Sequence, residues 1–171
     1  KSRPALIGLP TTGLSETQGA DIHRLAKQFH SACPEYADIP VVPVATPDFT
    51  GCLESGYALA VKAMIDVLVP ESACVGRRHK QVNVLAGSLL TPGDIEHLRE
   101  LVEAFGLRPV VLPDIADSLD GHLTESESSP VTTGGTPVSE IVSMGESIAT
   151  LVIGRSLDPA ADLLRDRARV P

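Results

Sequence analysis

The residues that could carry chemistry gather at the ends of short apolar runs. Ala5 to Leu9 is such a run, long enough for a buried strand and too short for a helix. Behind it come Thr11, Thr12, Gly13 and Ser15, small hydroxyl residues and a glycine that suit a ligand-facing turn. A second run, Ile39 to Ala45, leads into Thr46-Pro47-Asp48-Phe49-Thr50-Gly51-Cys52, which adds a carboxylate and a thiol. Loops leaving the carboxyl ends of strands are where open α/β sheets bind ligands, so these two turns are the candidate site. Cys52 follows a turn glycine at a helix start, where a thiolate would be stabilised, but reads first as a small core residue.

Other chemistries find less support. Dinucleotide folds show Gly-x-Gly-x-x-Gly after the first strand, whereas Gly13 and Gly19 are too far apart and Gly8 lies inside the strand. No phosphate-cradling Gly-x-x-x-x-Gly-Lys sequence occurs. Ser15, Ser88 and Ser156 follow strand ends, but none lies in Gly-x-Ser-x-Gly, and capping or turn closure accounts for them. His23, His30 and Cys33 share a helix side without the paired spacing of a closed metal site, and read as surface residues. Three scattered cysteines cannot supply the four thiolates of an ordinary iron–sulfur cluster. Glu125 and Glu127 sit in a polar stretch and read as solvated.

The elements that must position the two turns alternate along the chain. Ile22, Leu25, Ala26, Phe29 and Ala32 mark a helix ended by Pro34. Pro40 and Pro43 make the second strand short or an edge strand. Tyr57, Val61, Met64, Ile65 and Leu68 mark the next helix, and Val82 to Ala86 a third strand. Thr91, Pro92 and Asp94 spell a helix start, and Gly106 a left-handed stop. Arg108 to Leu112 is strand four, residues 113–135 are loop-like, and Thr136-Pro137 repeats the cap-and-proline pattern. Ala149 to Ile153 is strand five, and Asp158-Pro159 opens the last helix. Five strand–helix alternations predict a Rossmann-like α/β domain: a doubly wound, mostly parallel sheet of about five strands with helices on both faces.

Composition bounds the partners. The 171 residues fit one domain, 43% are apolar but only 3% aromatic, and the net charge is −8. That balance excludes nucleic acid and anionic membranes as natural partners. The Arg77-Arg78-His79-Lys80 cluster reads as a solvated loop. With no apolar stretch near the ~18 residues of a membrane span, and no signal layout, a cytoplasmic location is expected. The chain opens on Lys1 and enters a strand almost at once, which reads as an internal segment of a longer polypeptide.

The two turns, taken together, resemble a known family. Thr11-Thr12-Gly13, Glu16, Gly19 and Asp21 are similar to the Thr-Thr-Cys-x-x-Glu-x-x-Gly-Asp-Asp turn of beta-type subunits of the nitrogenase component 1 family. Thr46-Pro47-Asp48-Phe49-Thr50-Gly51 is similar to their Thr-Pro-Ser-Phe-x-Gly stretch. Leu90 to Asp94, Gly106 to Pro109, Ser118 to His122 and Thr132 to Gly135 extend the resemblance over the whole chain, toward the branch that assembles the iron–molybdenum cofactor. The resemblance implies one Rossmann-like domain, residues 1–171, of a three-domain subunit. It implies a NifE-type alpha partner in a heterotetramer, and exchange with other cofactor-assembly proteins. An iron–sulfur cluster and a cofactor precursor belong to that full complex, with none expected on this segment alone.

Catalytic beta subunits carry a cluster-ligating Cys in the first turn and a cluster-facing Ser in the second; Gly13 and Asp48 stand at those positions here. Gly13, Ser15, Asp48 and Gly51 are therefore expected to line a cluster or a subunit interface without ligating metal, in a segment that belongs to an oxidoreductase family but is itself non-catalytic. Two alternatives follow: a catalytic-type nitrogenase or protochlorophyllide-reductase-like subunit, and a small-molecule-binding Rossmann domain.

Overall fold

The computed structural model describes residues 3–71, 74–119 and 134–171. The chain runs β1 (Ile7–Pro10), α1 (Gly13–Thr17), α2 (Ile22–Ala32), β2 (Val41–Val44), α3 (Leu53–Leu68), β3 (Gln81–Ala86) and α4 (Pro92–Ala104). It continues through β4 (Arg108–Leu112), α5 (Ala116–Leu119), α6 (Val138–Val142), β5 (Ala149–Ile153) and α7 (Asp158–Ala168). All five expected strands form, and every pairing between them is parallel. Hydrogen bonds join them as two groups, β1 with β2, and β4–β3–β5 with β3 central.

Pro43 of β2 fits the strand's place in the smaller group. The carbonyls of Pro40 and Val44 accept from Ile7 and Thr11 at 2.9 Å each. Strand alternation therefore turns Pro43 away from β1, where its missing donor breaks no pairing. α3 bridges the two groups, packing against β2 as well as α6 and α7.

The three-stranded sheet is covered on both faces, as parallel sheets require. Leu85, Val110 and Leu112 point to one side and pack with Val61, Ile65, Met144, Leu157 and Leu164 from α3, α7 and their neighbours. The alternate residues Val84, Ala86 and Val111 face Ile95 and Val102 of α4. Every residue of β3 is buried. Gln81 and Asn83 are therefore polar groups in the core, and both are satisfied. Gln81 Nε2 donates to Ser147 Oγ at 2.9 Å and to the Ser143 carbonyl at 3.1 Å. Asn83 Nδ2 donates to the Met144 carbonyl at 3.0 Å, and its Oδ1 accepts from Ser147 Oγ at 2.7 Å.

Helix starts follow the sequence at α4 and depart from it at α6. Thr91 caps α4, its Oγ1 accepting from Asp94 N at 3.3 Å while Asp94 Oδ2 accepts from Thr91 N at 2.8 Å. Gly106, just past the helix end, takes φ 71°, the left-handed region expected of it. At α6 the cap position belongs to Pro137, without a side-chain bond. Thr136 instead donates its hydroxyl to the Val111 carbonyl of β4, so tertiary pairing displaces the expected cap. The 113–135 loop contains α5 at its start, and residues 120–133 lie outside the described residues.

Two carboxylates tie this fold to pH. Hydrogen bonds from the Thr91 amide and hydroxyl hold Asp94 below its usual range. The Arg78 guanidinium, which bonds Glu146 at 2.6 Å, does the same for Glu146. Lowered folded values mean that both contributions are complete above the ordinary carboxyl values of 3.8 and 4.5 and fade as pH falls through the folded ones. Acid unfolding followed by circular dichroism is expected to begin at higher pH in Glu146→Gln, whose unfolding profile should also be flatter below pH 4.5.

Candidate functional site

Parallel pairing of β1 and β2 sets their two following turns side by side. Thr11 joins them: its side chain is only 5% exposed, and its Oγ1 accepts from Thr46 N at 2.9 Å. The first turn is then closed by Thr12 and Ser15 in a capping box. Ser15 Oγ accepts from Thr12 N at 2.8 Å, and Thr12 Oγ1 accepts from Ser15 N at 3.3 Å. This pair winds residues 13–17 into α1, where the sequence suggested plain loop up to a helix behind Glu16. The Ser15 hydroxyl also donates to the Thr12 carbonyl at 2.8 Å, so it braces the turn from inside.

The second turn ends in an equivalent device. Gly51 takes φ 75°, and Ser55 Oγ lies where a side chain at 51 would project. Ser55 Oγ accepts from Cys52 N and donates to the Cys52 carbonyl, both at 2.8 Å. Cys52 is thereby the N-cap of α3. Hydrogen bonds led by that from the Ser55 amide hold its exposed thiol below the ordinary thiol value. The Cys-x-x-Ser spacing, like Thr91-x-x-Asp94, is the signal that could have revealed this box in the sequence. Alkylation by iodoacetamide, resolved by site with mass spectrometry, is expected to reach Cys52 before the half-buried Cys33. Its pH–rate midpoint should fall below 9.0, and a midpoint at or above that value contradicts the arrangement.

Gly13 and Asp48 meet where the two turns converge. A Cβ at position 13 would lie well inside contact distance of Asp48 Oδ1, and 3.1 Å from Phe49 Cδ1. Gly13 is buried and Asp48 exposed, so the carboxylate sits over the bare backbone like a lid. Asp48, Gly51, Cys52 and Ser55 line a cleft of about 500 Å³. Leu53 and Leu59, 83% and 48% exposed, also line it and give it an apolar, open side, while Phe49, 62% exposed, flanks Gly13. The four expected site residues therefore fall at one end of the β1–β2 pair. Asp48 and Gly51 line the cleft, Gly13 lies beneath Asp48, and Ser15 is turned to closing its own loop.

The remaining chemical candidates lie elsewhere. His30 is half-buried, and its Nε2 lies 2.9 Å from the Ile39 carbonyl, so it braces α2 rather than facing solvent as expected. Arg77 and Arg78 flank Glu146. Among the described residues no three of His, Cys, Asp and Glu converge as a metal-ligand set. No helix among them is long and apolar enough to cross a membrane.

Parallel strands with capped turns gathered at their carboxyl tips define a Rossmann-like α/β unit, a fold in which ligands bind at such tips. The chain belongs to the nitrogenase component 1 type oxidoreductase family, whose sequence profile it matches over residues 1–171. It is 44% identical over 169 residues to the nitrogenase iron-molybdenum cofactor biosynthesis protein NifN of Klebsiella pneumoniae, covering 99% of this chain and 37% of that protein. It is 46% identical to NifN of Nostoc sp., covering 100% and 38%. A solved structure of nitrogenase Cp1 at pH 6.5 superposes with a TM-score of 0.87 at 28% identity, over 98% of this chain and 36% of that one. The chain thus spans under two-fifths of the length of the curated relatives it matches.

Proposed function

We propose that this chain is part of a scaffold subunit on which the nitrogenase iron–molybdenum cofactor is assembled, and that its β1–β2 tips line a metal-cluster site without ligating it. The observation that carries this reading is the Gly13–Asp48 contact. Position 13 has no ligating atom, and the space above it is filled by a carboxylate. The NifN relatives supply the assembly context. Within that context the chain forms one of three Rossmann-like domains of a cytoplasmic subunit. An alpha-type, NifE-like partner completes a heterotetramer, and other assembly proteins deliver and collect the cluster.

The donor set at the tips does not fit a cluster. Among the described residues Cys52 is the one thiol lining the cleft, and Asp48 lines it as an oxygen donor. Iron held here must take its ligands from other chain segments or the partner, while this chain supplies shape, an apolar side and one negative charge. The full chain, purified anaerobically with its partner, is expected to carry iron and acid-labile sulfide. Cys52→Ser should leave that content unchanged. Loss of iron in this variant overturns the lining role, and an iron-free wild-type complex overturns the scaffold role.

A further inference from the structure

The contact between Gly13 and Asp48 has a chemical consequence for the site. Asp48 Oδ1 occupies the volume that the first side-chain atom of any other residue at 13 would need, and Phe49 Cδ1 closes the flank. Among the described residues no hydrogen bond or ion pair holds the Asp48 side chain, and its Oδ1 lies in the space that the missing Cβ of Gly13 leaves. The two residues reach each other because the Thr11–Thr46 bond clamps their turns together.

We propose that Asp48 is the specificity-determining residue of these tips: its carboxylate seals position 13 against thiolate ligation by both volume and charge. This deepens the scaffold reading and rests on it. Volume alone is a weak seal, because an aspartate on an exposed turn can rotate out at little cost. Charge makes the seal hold. A thiol placed at 13 would stand within contact distance of a carboxylate, and a like charge at that range disfavours the thiolate. The thiolate is the form that binds metal. Removing the charge while keeping the shape, Asp48→Asn, therefore opens the position chemically. Asp48→Ser opens it chemically and sterically. Acquiring a soft ligand at this turn takes two substitutions, and neither suffices by itself.

The test compares Gly13→Cys, Gly13→Cys/Asp48→Asn and Gly13→Cys/Asp48→Ser in the full chain, all in a Cys52→Ser background. Alkylation of Cys at 13 by iodoacetamide near neutral pH is followed by mass spectrometry, with denatured samples as the reference. The expected result is slow labelling in the first variant and about tenfold faster labelling in the second, one pKa unit being a factor of ten in thiolate. The third should be at least as fast as the second. Equal rates in all three overturn the proposal. Should Gly13→Cys fail to fold, melting temperatures of Gly13→Ala, Asp48→Ser and their combination decide it. Coupling between the two supports the seal, and strict additivity overturns it. Neither readout depends on iron, so they stand or fall apart from the scaffold test.

Discussion

Replacing Ile65 with alanine is expected to lower the unfolding free energy by about 3–4 kcal/mol. Ile65 is fully buried on α3, in the cluster that joins α3, α7 and the sheet residues Leu85, Val110 and Leu112. Deleting three carbons there removes their transfer energy and leaves a cavity that neighbours on three elements cannot close together. The effect reaches beyond stability, because α3 begins at Cys52 and bridges the two strand groups. A slackened α3 frees the floor of the cleft. Urea unfolding of the full chain should show a lower midpoint with an unchanged m-value. Ile65→Val, which removes one methyl group, should cost roughly 1 kcal/mol on the same scale. Equal losses for the two substitutions would contradict the packing argument.

Asn83→Leu is expected to be of similar severity, about 3 kcal/mol, for the opposite physical reason. Leucine is close to asparagine in size and apolar, so a simple hydropathy argument predicts a gain. The surroundings say otherwise. With the amide gone, Ser147 Oγ loses its 2.7 Å acceptor and the Met144 carbonyl keeps only the 3.3 Å bond from Ser147 N, at residues closed to solvent. A buried hydroxyl left without its acceptor costs about 1–3 kcal/mol, and the weakened carbonyl adds to that. Pairing Asn83→Leu with Ser147→Ala removes one orphan with its partner, so the double variant should recover part of the loss. Thermal melts of the single and double variants read this directly.

The fold was legible wherever the signal was local. Apolar runs fixed all five strands to within two residues, and Thr91-Pro92-Asp94 marked a helix start that the structure reproduces atom by atom. What escaped the sequence depends on contacts between distant residues. Asn83 looked like one polar residue in an apolar strand, and its partners lie more than 60 residues away. Thr136 looked like a cap until β4 offered its hydroxyl a carbonyl. The candidate turns were found by their position after strands and by resemblance. That Asp48 rests on Gly13 could not be read from either, because it follows from the register of β1 against β2 and from one side-chain rotamer. The division of the strands into two hydrogen-bonded groups was equally invisible in a pattern of alternating elements.

The Thr11 hydroxyl has one more consequence. By tying the start of one loop to the other, it makes the pair behave as a single jaw. A visiting surface meets a shape already set, and little disorder must be surrendered when it lands. Any recognition at these tips should accordingly be quick to form and sensitive to small misfits.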